Sequence, residues 1–167
     1  MILCTDLARP LLRAAIAETR ADRPFDLLAM VLFGDHLHLM FELPPGDADF
    51  SIRLAAIKAR FTRSYLLAGG YEGAVTGDRA LHHGRGVWQS RFYDHLIRDD
   101  ADLNKHLDYI HFNPVKHGYA ACPHAYPHST FGKWVDRKGY DADWCCTCDG
   151  RAVEPPLFDW AAGRDME

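Results

Sequence analysis

Apolar positions at helical spacing open the chain. After Pro10, which suits the first turn of a helix, they recur at Leu12, Ala15, Ile16 and Thr19. Because Pro24 cannot continue the pattern, the first predicted helix ends near Ala21.

Two nearly continuous apolar runs follow, at residues 25–33 and 36–43, and only Gly34 and Asp35 separate them. Such runs are typical of strands, and a two-residue connection of this kind predicts a tight hairpin. The second strand therefore begins at His36.

The middle of the chain predicts a helix, a loop and a third strand. Asp49 is placed to cap the helix, whose apolar positions are Ile52, Ala55, Ala56, Phe61 and Leu66. Residues 69–86 hold six glycines among basic side chains, which predicts a mobile basic loop. Residues 87–98 are rich in β-branched and aromatic side chains, which favours a strand.

A third long helix is predicted to begin at Asp99 and to end within a turn of Pro114, and a short helix is predicted around Trp134. The element order fits an α+β fold, a ferredoxin-like sandwich with an antiparallel sheet and flanking helices. Such a sheet begins with a strand before the first helix. Since only residues 1–4 precede the helix here, the first strand is expected to be truncated.

Composition indicates one globular domain, because 167 residues with 48% hydrophobic content suffice for one core. The chain has neither a membrane-spanning apolar run nor a secretory signal, so we expect a cytoplasmic protein with no membrane partner. Its five cysteines should then stay reduced, without a disulfide framework.

The net charge of −4 is unevenly distributed. Residues 50–91 carry seven bases and two acids, whereas residues 139–167 carry seven acids and two bases. A solvated charged face explains such a segment, and so does a surface that attracts phosphates.

Two histidines stand one residue apart at the start of the second strand. Side chains alternate faces along a strand, so His36 and His38 are predicted to point the same way. They are half of a metal site, or else two polar residues on a half-exposed strand.

The third long helix carries Tyr109 and Asn113 four residues apart, on one face. An amide oxygen together with two imidazoles suits Mg²⁺ or Mn²⁺, and an adjacent tyrosine hydroxyl is a nucleophile for phosphorus. Alternatively, Tyr109 is a boundary aromatic and Asn113 a helix end before proline.

The ordered set of segments FGDHLHLM, VWQSRFYDHLIRDDADLNKHLDYIHFNPVKHGYA and YPHSTFGKW resembles the REP-associated tyrosine transposases, which are single-tyrosine HUH transposases. The resemblance implies that His36, His38 and Asn113 hold Mg²⁺ or Mn²⁺ and that Tyr109 is the nucleophile. It also implies cleavage and rejoining of single-stranded DNA near palindromic hairpins, through a 5′-phosphotyrosine link. We expect residues 1–144 to form this domain, as a monomer or homodimer, and residues 145–167 to form an irregular acidic tail.

Single strands are bound by cations and aromatic faces together. Tyr93 and Trp134 are further stacking candidates, and the predicted DNA-binding residues are Arg53, Arg60, Arg63, Arg79, Arg85, Trp88, Arg91 and Lys116.

Two alternatives stay open. One is a single-stranded DNA-binding protein of the same fold without catalysis. The other is a small zinc-binding interaction module, in which the C-x-x-C pair of Cys145 and Cys148 is completed by Cys122, His124 or His128.

Overall fold

The computed structural model of the chain describes residues 2–75, 77, 85–89, 92–150 and 152–156. The chain divides into two compact units. The first unit comprises Met1–Asp26, Phe33–His36 and Phe41–Phe92, and the second comprises Leu27–Leu32, Leu37–Met40 and Tyr93–Glu167. None of the helices in the described part of the chain has the length and apolar character needed to cross a membrane.

The first unit is built on two packed helices, α1 (Ala8–Asp22) and α2 (Phe50–Leu67). The Thr5 hydroxyl accepts a hydrogen bond from the N–H of Ala8, the first residue of α1, at 3.1 Å. Each helix buries one face at helical spacing. The face predicted for α1 is confirmed, but the face predicted for α2 is wrong, because among its predicted apolar positions only Phe61 is buried and Ile52 and Ala55 are exposed. The buried positions are Ala8, Leu12, Ala15, Ile16 and Thr19 on α1, and Arg53, Ile57, Phe61 and Tyr65 on α2.

The predicted hairpin is present. Strands β1 (Asp26–Leu32) and β2 (Leu37–Glu42) form a two-stranded sheet, and the Phe33 N–H donates to the His36 carbonyl at 2.9 Å across the turn. Within the second unit, residues 128–130 pair with the other edge of β1. There Leu32 donates to the His128 carbonyl at 2.9 Å, and Thr130 donates to the Met30 carbonyl at the same distance.

The second unit is organised around helix α3 (Asp100–Lys116), followed by a 3₁₀ turn (Pro123–Ala125) and the short helix α4 (Phe131–Asp136). The Asp99 side chain caps α3 by accepting from the Asp102 N–H at 2.8 Å. Aromatic rings fill the core between α3 and the residues after it, namely His111, Phe112, Phe131, Trp134, Tyr140 and Trp144.

The α+β class, the hairpin and the predicted helices are confirmed, but the strand predicted at residues 87–98 is wrong. Residues 87–89 and 92–98 form no strand, and the sheet of the described residues has two strands. Strand-forming side chains need a partner backbone. The Trp88 ring packs on helix α2 instead, 5.2 Å from the Phe61 ring. Much of the predicted mobile loop, residues 76 and 78–84, lies outside the described residues.

Two local expectations also need correction. Asp49 precedes α2 as predicted, yet its side chain makes no capping hydrogen bond. The expectation that the cysteines form no disulfide is also wrong, because folding brings Cys122 and Cys146, 24 residues apart in sequence, into a disulfide. Cys146 is buried within the second unit.

Candidate active site

Tyr109 and Asn113 on α3 and His117 at its C-cap follow one another at intervals of four residues. Asn113 is fully buried, and Tyr109 is only 4% exposed. The Asn113 side chain donates through Nδ2 to the Tyr109 carbonyl and accepts at Oδ1 from His117 Nε2, both at 3.0 Å. These two bonds fix the direction of the amide, and a second lone pair on Oδ1 is left for another ligand.

The Tyr109 ring has a neighbour from the sheet and one from its own helix. The ring of His38, on β2, meets it edge to face with 5.4 Å between centroids. The ammonium of Lys116 lies 5.5 Å from the centroid of the same ring. The second unit therefore brings the predicted nucleophile together with one predicted metal ligand and one predicted DNA-binding cation.

His36 belongs to the first unit, immediately before β2. Its Nδ1 is 2.8 Å from the Asp35 carboxylate, and its ring packs 4.8 Å from the ring of Phe33. The hydrogen bond to His36 lowers the pKa of Asp35. A carboxylate on one ring nitrogen is the usual companion of a histidine that binds metal through the other nitrogen.

Each unit offers donors that fit a divalent ion. In the second unit, Asn113 has an oriented amide oxygen and His38 lies beside Tyr109. In the first unit, His36 has a carboxylate on Nδ1. Imidazole and amide oxygen together suit Mn²⁺ and its neighbours, and the amide oxygen suits Mg²⁺.

Two of the predicted DNA-binding arginines are engaged within the first unit. Arg53 is 4% exposed and bonds both oxygens of Asp47, at 3.0 and 2.6 Å, and the Pro24 carbonyl at 2.9 Å. Arg60 bonds the Thr19 hydroxyl at 2.7 Å and pairs with Asp22. Both guanidinium groups join segments of the protein to each other.

Three other candidates line one open groove of about 850 Å³ on the first unit, namely Arg63, Arg85 and Trp88. Arg63 is exposed on α2, and Arg85 pairs with Glu72 at 2.6 Å. Trp88 is half-buried, and its indole N–H donates to the Thr62 hydroxyl at 3.0 Å. The groove therefore combines cations with an aromatic face.

The remaining candidates have different environments. Arg79 and Arg91 lie outside the described residues. Tyr93 is 58% exposed, so its ring is accessible. Trp134 instead donates to the Leu28 carbonyl at 2.8 Å and packs in the aromatic core, where it supports the fold.

Sequence reasoning missed His117, although its spacing from Tyr109 and Asn113 is a visible signal. It also missed a cluster at the start of α3. There Asp102 accepts from His95 Nε2 at 2.9 Å and from Arg98 at 3.1 and 3.2 Å. These bonds hold the pKa of Asp102 well below its usual range, and they fix the segment that leads into α3.

Comparison with known proteins identifies relatives along most of the chain. It is 40% identical over 132 residues to a Haemophilus influenzae protein assigned as a REP-associated tyrosine transposase, covering 79% of this chain and 73% of that one. It is 39% identical over 134 residues to the REP-associated tyrosine transposase of Escherichia coli K12, covering 80% and 71%. No protein-family profile matches the chain.

A solved structure agrees with these relatives. A REP-associated tyrosine transposase bound to a REP hairpin superposes with a TM-score of 0.69 and 36% identity, over 89% of this chain and 76% of that one. The two curated relatives exceed 30% identity over more than two thirds of their length. The chain therefore belongs to the family of REP-associated tyrosine transposases.

Proposed function

We propose that this protein cleaves and rejoins single-stranded DNA beside palindromic hairpins, with Tyr109 as the nucleophile. The observation that carries the proposal is the arrangement at Tyr109, where an imidazole and an ammonium lie near the nearly buried phenol ring and an oriented amide is hydrogen-bonded to the backbone carbonyl of the same residue. The names of the relatives support DNA transposition as the reaction class, and the hairpin in the solved relative supports a hairpin substrate.

The chemistry is an exchange of one phosphate ester for another. The Tyr109 oxygen attacks phosphorus, a bond forms between them, and the bond from phosphorus to the 3′ oxygen breaks. The 5′ phosphate is then attached to the protein, the Tyr109 hydroxyl gives up its proton, and the leaving 3′ oxygen of the upstream strand takes up one proton to become a 3′-OH, so no net proton is gained or lost. Rejoining reverses these steps, because a 3′-OH attacks the phosphotyrosine and releases Tyr109.

Each neighbour of Tyr109 has a separate role in the proposed reaction. Lys116 places a positive charge beside the phenol, which favours approach of the negatively charged phosphate. His38 packs against the ring edge and limits its rotation. Asn113 holds its oxygen one helical turn from Tyr109, a position kept by the His117 hydrogen bond.

We assign His36, His38 and Asn113 as the residues that hold Mg²⁺ or Mn²⁺. The ion would supply Lewis-acid polarisation of the phosphodiester. The Asp35 carboxylate orients His36, and His117 orients Asn113, so each assigned ligand of this pair has a supporting partner.

For the DNA strand away from the reacting phosphate, we propose the groove lined by Arg63, Arg85 and Trp88. Its cations would contact phosphates, and the indole face would stack on a base. Arg53 and Arg60 are left out of this interface because neither residue lines the groove and Arg53 is buried.

The experiment uses a hairpin oligonucleotide with a single-stranded flank, labelled on the strand downstream of the expected cut. After incubation with the protein and Mn²⁺, denaturing gels should contain a labelled species that migrates with the protein. Tyr109→Phe should abolish this species because it removes only the hydroxyl. Tyr71→Phe is the matched control, since Tyr71 is 71% exposed and its loss should leave the adduct unchanged.

The competing function is a single-stranded DNA-binding protein of the same fold. Such a protein would retain the hairpin in a salt-dependent way and give no covalent species with either ion. Equal adduct formation by the Tyr109→Phe and Tyr71→Phe variants would also contradict the assignment of the nucleophile.

A further inference from the structure

Three sulfur atoms and one imidazole converge in the second unit, in a group separate from Tyr109. Cys122 is completely buried and forms the disulfide with Cys146. The sulfur of Cys148 lies only 2.7 Å from the sulfur of Cys122. A ligand nitrogen of His124 lies within 4.8 Å of the sulfurs of Cys122 and Cys146. The disulfide joins two of these four groups, and the sulfur of Cys148 is in contact with it.

The four groups come from two short segments that are hydrogen-bonded to each other. One segment supplies Cys122 and His124, and the other supplies Cys146 and Cys148, so each contributes two groups with one residue between them. Thr147 connects the segments, because its N–H and its hydroxyl both donate to the Ala121 carbonyl, at 3.0 and 2.9 Å. The backbone thus holds the two pairs together independently of the disulfide.

We propose that the reduced protein binds one structural Zn²⁺ through Cys122, His124, Cys146 and Cys148. Three thiolates and one imidazole are a zinc donor set, and four protein ligands close a tetrahedral structural site. Zinc–sulfur bonds of about 2.3 Å place two sulfurs of one site roughly 3.8 Å apart. The sulfurs of Cys122 and Cys146 therefore separate when zinc is bound, and the disulfide and the metal exclude each other.

The structure selects different cysteines from those that the C-x-x-C spacing suggests. Cys145 is half-buried, and its sulfur is not in the group formed by Cys122, His124 and Cys146, whose ligand atoms all lie within 4.8 Å of one another. Cys146 replaces it, because its sulfur faces Cys122.

Bound zinc would fasten the segment around Cys148 to the 3₁₀ turn that follows α3. That turn packs against α3, the helix that carries Tyr109. We expect zinc to stabilise the second unit without taking part in the reaction. This inference does not depend on the proposed DNA chemistry.

The test uses the full chain, reduced and stripped of metal, in a His38→Ala background that disables the other proposed metal site. Titration with Co²⁺ should give sulfur-to-metal charge-transfer absorption that saturates near one ion per chain, and Zn²⁺ should displace the Co²⁺. Elemental analysis after desalting should find about one zinc per chain.

Three single substitutions separate the ligands from their neighbour. Cys148→Ser removes an exposed ligand, so the chain should fold and lose most of its zinc. Cys146→Ser should behave in the same way, and Cys145→Ser should keep full zinc content. The proposal is overturned if the reduced protein holds no zinc, if Co²⁺ gives no sulfur charge transfer, or if Cys145→Ser loses as much zinc as Cys148→Ser.

Discussion

The ring of Tyr109 on helix α3 meets the ring of His38 on strand β2 edge to face, with 5.4 Å between the ring centroids. The two residues are 71 positions apart in sequence, and the second unit brings them together. This contact places His38 beside the helix that carries Asn113 and Lys116. It gives a structural basis for predictions on metal binding, DNA binding and stability.

The first prediction concerns the Asn113 amide. Asn113→Ala removes the proposed ligand oxygen and should weaken Mn²⁺ binding by about 10- to 100-fold, whereas Asn113→Asp should keep it because a carboxylate supplies the same oxygen. Calorimetric titration with Mn²⁺ measures both. Asn104→Ala, on an exposed part of α3, is the matched control. Equal Mn²⁺ affinity in the Asn113→Ala variant and the wild-type protein would remove Asn113 from the ligand set.

The second prediction concerns the cation beside Tyr109. Lys116→Gln keeps most of the length of the side chain and removes its charge, so hairpin affinity should fall. The plot of the log of the binding constant against the log of the salt concentration should become shallower by about 1 in slope. Fluorescence anisotropy at several salt concentrations provides the slope. Lys105→Gln, at an exposed position of the same helix, should leave it unchanged. An unchanged slope in Lys116→Gln would mean that this ammonium contacts no phosphate.

The third prediction separates two arginines of α2. Arg63→Gln should weaken hairpin binding with little effect on stability, because Arg63 is exposed in the groove. Arg53→Gln should lower the urea midpoint, because it leaves Asp47 and the Pro24 carbonyl without their guanidinium partner. Its folded fraction should bind the hairpin normally. The opposite pattern, with Arg53 needed for binding and Arg63 for stability, would refute the proposed interface.

The fourth prediction concerns pH and the fully buried His111. Its Nε2 lies 3.0 Å from the Thr130 hydroxyl, its Nδ1 has no hydrogen-bond partner among the described residues, and burial lowers its pKa to about 4. Between pH 6.5 and 4 the unfolded chain binds a proton at this residue that the folded chain does not. The contribution of His111 to the free energy of unfolding is therefore complete above pH 6.5. That free energy falls by about 3 kcal/mol as the pH falls to 4.

Urea unfolding at pH 7 and pH 5 tests this contribution. His111→Gln retains a donor for the Thr130 hydroxyl and does not titrate, so its unfolding free energy should depend less on pH than that of the wild type. An identical pH dependence in the two proteins would show that His111 is not the buried group responsible.

The sequence predicted those features that depend on local pattern. The buried face of α1, the Gly34–Asp35 turn and the Asp99 cap all follow from periodicity or from side chains next to the backbone they bond. The spacing of Tyr109 and Asn113 predicted their shared helical face in the same way.

The features that failed depend on distant partners. The strand expected at residues 87–98 had suitable side chains, but β1 is followed on its second edge by residues 128–130 and Trp88 packs on α2. The disulfide between Cys122 and Cys146 joins residues 24 apart in sequence, a pairing that depends on the fold and that cysteine spacing does not encode. Similarly, the burial of Arg53 follows from Asp47 and Pro24 and not from its place in a basic segment.

The attachment site of the DNA on the protein tests the central claim most directly. After reaction with a hairpin and Mn²⁺, the protein is digested with nuclease and trypsin, and its peptides are analysed by mass spectrometry. Residues 106–116 form one tryptic peptide, HLDYIHFNPVK, in which Tyr109 is the only tyrosine. We predict that this peptide carries a nucleotide phosphate on Tyr109 and that the peptide of the Tyr109→Phe variant carries none. A nucleotide on another tyrosine, or cleaved DNA with no modified peptide, would contradict catalysis through Tyr109.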